Sequence, residues 1–171
     1  GSHLVPFLTA AGHTVKRLVR KKRPDWSYEL CWDPEVGMLD DFSDLTMLIH
    51  LAGENIASPI RWNDQKKNRI YRSRIRSTQS LVQQLRDTPN NVHTFVCASA
   101  IGIYPSSQQL MMEDAAPGDR FLSNVIADWE AQCDPIRDKI RVCNARFGTI
   151  LHPAGGIIKK LRPLMKLGAL G

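Results

Sequence analysis

The segment Lys16-Arg17-Leu18-Val19-Arg20-Lys21-Lys22-Arg23 is almost wholly basic, and its place in the chain matters more than its charge. Before it runs Ser2-His3-Leu4-Val5-Pro6-Phe7-Leu8-Thr9-Ala10-Ala11-Gly12. There Leu4, Leu8 and Ala11 recur at spacings of four and three, one face of a helix, and Gly12 is a natural C-terminal stop. Residues 13–19 then read as a strand. The order is helix, strand, basic turn. The plainest account of the turn is a solvated charged surface.

A second account fits the order as well as the charge. In a dinucleotide-binding β-α-β unit, the second strand ends at the adenosine ribose. Enzymes that select NAD place a carboxylate there for the 2′-hydroxyl, and NADP enzymes use Arg for the 2′-phosphate. Arg20 holds that position, and no acid stands close by. On this account the cofactor is NADP(H). The unit also needs a strand and a glycine loop ahead of its helix. Here the helix starts almost at residue 1, so Gly1 is expected to be the last glycine of the loop. Gly-Ser-His is equally the scar of tag cleavage. The expectation is an internal fragment of a longer protein, lacking the first strand and a C-terminal substrate region.

A length of 171 residues suits one domain with a sizeable core, here residues 1–171 as a partial NADP(H)-binding domain. No apolar run approaches the roughly 18 residues a membrane span needs, so no membrane partner is expected. Cys31, Cys97, Cys133 and Cys143 are widely spaced and form no C-x-x-C pair. Cys97 and Cys143 lie in apolar, strand-like runs and are expected to be buried, reduced thiols. Reduced thiols suit the cytoplasm, or the mitochondrial matrix if a transit peptide has been lost. The net charge of +6 points to anionic partners: nucleotide, nucleic acid or membrane surface.

Strand and helix patterns alternate along the rest of the chain. Residues 46–53 form a short apolar run closed by Gly53. Residues 64–86 follow with helical spacing, Tyr71, Ile75, Thr78, Val82 and Leu85 on one face and Asn63 or Asp64 as cap. Residues 92–99 read as strand. Residues 119–137 read as helix, with Phe121, Val125, Trp129 and Cys133 at intervals of four. Residues 140–147 read as strand, and Gly155-Gly156 precedes an apolar, basic segment over 157–167. The order predicts an α/β fold of Rossmann type: a doubly wound parallel sheet with helices on both faces. The stretches 21–26 and 105–118 are the only linkers, and both are short. Ligands in such sheets sit beyond the carboxyl ends of the strands. Those ends carry Arg20, Leu51-Ala52-Gly53, Ala98-Ser99-Ala100 and Phe147-Gly148. Small residues let a flat dinucleotide approach the backbone, although glycine at strand ends also serves turn geometry alone.

Leu51-Ala52-Gly53-Glu54-Asn55-Ile56, Arg61-Trp62, Ser73-Arg74, Ala98-Ser99-Ala100-Ile101-Gly102-Ile103-Tyr104, Asp128-Trp129-Glu130 and Arg146-Phe147-Gly148 occur in that order. Together they resemble the epimerase-like, atypical NADP-linked branch of the short-chain dehydrogenase/reductase superfamily. The resemblance runs from residue 1 to 171, with Gly168 to Gly171 falling before the substrate region. It implies that Gly1 closes the glycine loop, that Val19 and Arg20 meet the 2′-phosphate, and that Leu51, Ala52 and Gly53 line the cofactor. It further implies that Arg74 faces the cofactor cleft and that Ile150 borders the nicotinamide. From spacing alone, Arg74 is an exposed member of the basic helix run that includes Lys66, Lys67, Arg69, Arg72 and Arg76.

The superfamily also uses a Ser, a Tyr and a Lys four residues after that Tyr. Ser99 matches the Ser. No Tyr-x-x-x-Lys occurs: Tyr28, Tyr71 and Tyr104 are followed at the fourth position by Trp32, Ile75 and Gln108. The expected place of the pair holds Val125 and Trp129, neither able to move a proton. Tyr104 is the substitute nearest Ser99, and a Tyr without a cationic neighbour is a poor base at neutral pH. The leading expectation is an NADP-dependent oxidoreductase or epimerase acting by hydride transfer on a secondary alcohol or sugar nucleotide, with Ser99 and Tyr104 as catalytic candidates. The rivals are an NADP-binding sensor or scaffold without turnover, and a basic nucleic-acid-binding module, the latter without aromatic interleaving or a known motif. A homo-oligomer is compatible with all three. The five His residues show no metal spacing.

Overall fold

A computed structural model describes residues 1–56, 62–152, 155–166 and 168; within the last helix, the side chains at 160 and 164–166 lie outside the description. Arg61 of the resemblance and residues 169–171 at its C-terminal end fall outside the described residues. The elements run α1 (Leu4–Ala10), β1 (Arg17–Val19), β2 (Glu29–Asp33), β3 (Met38–Leu39), β4 (Met47–His50), α2 (Asp64–Asp87), β5 (Thr94–Ala100), α3 (Phe121–Ala131), β6 (Arg141–Phe147) and α4 (Gly156–Lys166). The fold is α/β with parallel strand pairing, as the alternation of patterns predicts.

The strands fall into two groups, β1-β2-β3 and β4-β5-β6. β1 runs parallel to β2, with Leu18 opposite Leu30. β4, β5 and β6 are all parallel, with His50 opposite Cys97 and Ala100 opposite Phe147. β3 is antiparallel to β2, a hairpin closed at Gly37, whose φ of 69° suits a residue without Cβ. β2 and β3 carry no strand pattern in the sequence, because Glu29-Leu30-Cys31-Trp32-Asp33 mixes charged ends with apolar centres and has no clean period. Between β1 and β4 lies a cavity of about 1310 Å³, lined by α1 residues Leu4, Val5 and Leu8 and by Leu18, Trp32 and Leu48.

The core lies where α2 and α3 pack on β4 and β5. Phe95, Leu81, Ile136 and Cys133 are sealed from solvent, and Leu48, Ile75, Leu85, Val92 and Trp129 join them. α2 starts at Asn63, whose side chain accepts the Lys66 N–H at 2.8 Å and so satisfies one orphan donor. Its buried face runs through Ile70, Ile75, Thr78, Val82 and Leu85. Tyr71, expected on that face, is exposed instead. At 100° per residue, position 71 does fall in line with 75, 78, 82 and 85, so its exposure reflects a lack of cover over that turn and not the phase of the stripe.

Two further expectations are corrected. α3 stops at Ala131, and Pro135 sits in a separate 3₁₀ turn (Asp134–Ile136). Proline has no N–H for the helical ladder, so the chain breaks ahead of it. All four cysteines are free thiols, but only Cys97 and Cys133 are buried, and Cys143 is exposed. β6 is the last strand of its group, and its faces are only partly covered. The hydrogen bond with the facing Cys133 sulfur, together with burial, holds the Cys97 thiol protonated.

Candidate active site

β4, β5 and β6 are parallel neighbours, so their C-terminal ends share one edge of the sheet. Beyond β4 come Leu51, Ala52 and Gly53, all exposed. Arg74 reaches this edge from α2. Its guanidinium lies so close to Gly53 that a Cβ there would stand 3.4 Å from Arg74 Cζ. Arg74 donates to the carbonyls of Ile70 at 3.0 Å and Glu54 at 3.2 Å, and its Cζ sits 5.2 Å from the Trp129 ring centroid. Desolvation depresses its pKa from the ordinary arginine value, and the Glu54 charge opposes that effect. Arg74 is therefore half-buried against the end of β4, not one more member of a solvated basic run.

Glu54 itself is neutralised. Lys66 Nζ donates to Glu54 Oε1 at 2.6 Å and to the Asn55 carbonyl at 2.7 Å. The Lys66 hydrogen bond and charge hold the Glu54 carboxyl below its usual range. The Glu54 N–H donates to Ser73 Oγ at 2.9 Å. These bonds tie the loop after β4 to the first turns of α2. Placed this way, the edge presents backbone and small side chains from β4, with a cation behind them.

Ser99 and Tyr104 stand at the end of β5, but in different surroundings. Ser99 is buried, and its hydroxyl donates to Glu130 of α3. Tyr104 follows a 3₁₀ turn (Ile101–Ile103), is half-buried, and meets Arg146 of β6. Arg146 Nη1 donates to the Tyr104 hydroxyl oxygen at 2.7 Å. Its Nε and Nη2 donate to the two oxygens of Glu130, each at 2.8 Å. The expectation that Tyr104 lacks a cationic neighbour is therefore corrected: the cation comes from β6, where spacing from Tyr104 could not reveal it. Burial opposes ionisation of Glu130, but the hydrogen bonds from Arg146 and Ser99 outweigh it and keep the carboxyl ionised. The Glu130 hydrogen bond raises the Arg146 pKa further. The network reads Ser99–Glu130–Arg146–Tyr104. Glu130 and Arg146 were quoted in the sequence motifs without a role; a Glu inside a helix and an Arg inside a strand signal a partner, but not which one.

The remaining candidates lie apart from this network. Val19 is half-buried in β1 and Arg20 is exposed just after it. Arg17 and Arg23, by contrast, are turned onto buried Glu29 at 2.5 and 2.7 Å. Arg23 also stacks 3.1 Å over the Trp26 ring. Hydrogen bonds from Arg23 lead the causes that lower Glu29 to about 2. Gly1 is exposed, borders the cavity between β1 and β4, and its carbonyl accepts the Val5 N–H at 3.1 Å. Ile150, Leu151 and Phe147 expose apolar surface after β6. Val125 and Trp129, where the superfamily's Tyr and Lys are expected, are buried core residues.

A parallel α/β sheet with small residues and half-buried cations, Arg74 and Arg146, at its C-terminal edge has the arrangement of nucleotide-binding α/β proteins. Residues 1–124 match the model of the NAD dependent epimerase/dehydratase family, and the chain belongs to that family. An epimerase family protein of Mycobacterium bovis is 38% identical over 98% of this chain and 56% of the relative. The crystal structure of human epimerase family protein SDR39U1 (isoform 2) with NADPH superposes with a TM-score of 0.88 at 30% identity, covering 100% of this chain and 57% of that one. A nucleoside-diphosphate sugar epimerase from Corynebacterium glutamicum superposes with a TM-score of 0.75 at 33% identity, covering 96% of this chain and 34% of that one. The chain thus spans little more than half the length of the curated relatives it matches.

Proposed function

We propose that this chain is the NADP(H)-binding part of an epimerase-like oxidoreductase that transfers hydride to or from a secondary alcohol or its ketone, on a small molecule or a sugar nucleotide. The observation that carries the reading is Arg74 packed behind Gly53 at the end of β4, in a chain similar over its whole length to a human protein solved with NADPH. In this reading Leu51, Ala52 and Gly53 offer backbone and flat surface to the dinucleotide. Arg74 supplies positive charge to its phosphates, and Val19 and Arg20 meet the adenosine end. Gly1 lies at the N-terminal approach to the cofactor, and Ile150 borders the nicotinamide with apolar surface. The dinucleotide, when bound, would give hydride to a ketone or take it from an alcohol. This chain's own residues bind it, exclude water with Phe147 and Ile150, and offer Tyr104 as the proton-bearing group. Ser99 holds Glu130 in place.

The test is calorimetric titration of the whole protein with NADPH and NADH, followed by a turnover panel of ketones and sugar nucleotides. Preference for NADPH with turnover supports the reading, and equal affinity for both cofactors overturns its NADP part. A second reading, an NADP-binding sensor without turnover, is favoured by the burial of Val125 and Trp129 where a Tyr and Lys are expected. Binding with no turnover on the panel selects it. A nucleic-acid role is weaker, because Arg17, Lys22, Arg23, Arg72 and Arg76 are engaged with carboxylates of this chain.

A further inference from the structure

The hydroxyl oxygen of Tyr104 accepts from a guanidinium that cannot swing. Arg146 is held by both oxygens of Glu130, and Nη1 also donates to the Glu113 carbonyl at 2.8 Å. The ring of Tyr104 lies 5.1 Å from Arg146 Cζ, so the phenol is located by charge at its face as well as at its oxygen. A phenol that accepts from a fixed cation keeps its own hydrogen to give, and accepting from a charge strengthens it as a donor. Among the described residues no acceptor takes that hydrogen. The edge of the sheet near it carries exposed Ile101, Phe147 and Ile150, an apolar setting for a carbonyl compound.

Resting on the hydride-transfer reading above, we infer that Arg146 is a positioning residue for Tyr104, aiming its O–H to donate to the oxygen of a ketone bound at the C-terminal edge of β5 and β6. Glu130 holds the guanidinium in plane, and Ser99 holds Glu130. The cation that the superfamily takes from the helix, four residues after its Tyr, is here taken from β6. A merely structural Arg146 would tie the loop over residues 105–118 to the sheet and leave the chemistry of Tyr104 untouched.

The whole protein, labelled with carbon-13 at the tyrosine ζ carbon and saturated with NADP⁺, is titrated with cyclohexanone. Tyr104→Phe assigns the Tyr104 resonance. That resonance moves as ketone binds in the wild type. In Arg146→Gln the ketone concentration that half-moves the resonance rises by about tenfold, the loss of one charge-assisted contact, and Arg146→Lys restores part of it. If Arg146→Gln fails to fold because Glu130 is left unpaired, Glu130→Gln with Arg146→Gln removes both charges and must show the same rise. A Tyr104 resonance that is silent in the wild type, or that half-moves at the same ketone concentration in the Arg146 variants, overturns the inference. Calorimetric NADPH binding on the same samples separates the two levels. No binding by the wild type sinks the cofactor reading, whereas normal binding with a silent Tyr104 sinks this inference alone.

Discussion

Arg20 is exposed one residue past β1, and its neighbours Arg17 and Arg23 are occupied by Glu29. On the NADP reading a 2′-phosphate there would meet Arg20, for which no ion pair is formed among the described residues. Arg20→Asp should weaken NADPH binding by about 1–3 kcal/mol, from a lost charge-assisted contact plus repulsion, and leave NADH binding nearly unchanged. Calorimetry with both cofactors checks this; an equal loss for both would mean that Arg20 does not read the phosphate. His50 is a different kind of residue. It is buried among Trp32, Phe95 and Trp129 and shares a 3.1 Å hydrogen bond with Ser77. Desolvation lowers its pKa from 6.5 to about 4. The unfolded chain therefore binds a proton at His50 more readily than the folded one. The stability this neutral ring preserves is complete above pH 6.5 and is lost as pH falls toward 4, on the order of 3 kcal/mol in all. Denaturant melts across that range should show the fall, and His50→Gln should flatten it.

At the scale of elements, α3 is joined to α2 and to the sheet by one large side chain. Trp129 is 5% exposed, its Nε1 donates to Thr78 Oγ1 at 2.8 Å, and its ring faces Arg74. Trp129→Ala should destabilise the protein by roughly 3–5 kcal/mol, since it opens a cavity and leaves the Thr78 hydroxyl without this donor. A loss under about 1 kcal/mol in chemical denaturation would show that the helices pack without it. The loop over residues 105–118 is tied in a comparable way. Gly118 N–H donates to the Ile103 carbonyl at 2.8 Å, and a Cβ at Gly118 would come within 3.1 Å of Pro105 Cα. Gly118→Ala should therefore loosen the turn that carries Tyr104.

In the 171-residue chain two strand groups flank a cavity, and backbone protection should be uneven for that reason. β5 is bonded on both sides, to β4 and to β6. β1 and β4 each pair on one side and face the cavity between them on the other. In hydrogen exchange of the 171-residue chain, amides of β5 should be the slowest and those of β1 among the fastest strand amides. Uniform protection across β1, β4 and β5 would contradict this. A peptide of strand-forming apolar residues that fits between β1 and β4 should slow both edges together, because each has backbone groups to pair.

Local chemistry was legible in the residues themselves. Apolar period marked α2, which buries one face, and short apolar runs marked β5 and β6 as strands. Gly12 ended α1 with a φ of 88°, and Asn63 capped α2, since both act within a few residues. The order of strands, helices and basic turn determined the α/β class, and the quoted motifs led to the family. What spans the chain was decided only by tertiary structure. β2 had no period to read, because Glu29 is buried through ion pairs with Arg17 and Arg23, which breaks any apolar alternation. Cys143 was exposed because a strand's place in the sheet, not its composition, sets its cover. Arg74 left the basic run for Gly53, a choice made by where α2 meets β4. Arg146 found Tyr104 and Glu130 across 42 and 16 residues of chain. Periodicity reports which face of an element is apolar; which charge meets which is set by strand order and register, and those exist only in the folded molecule.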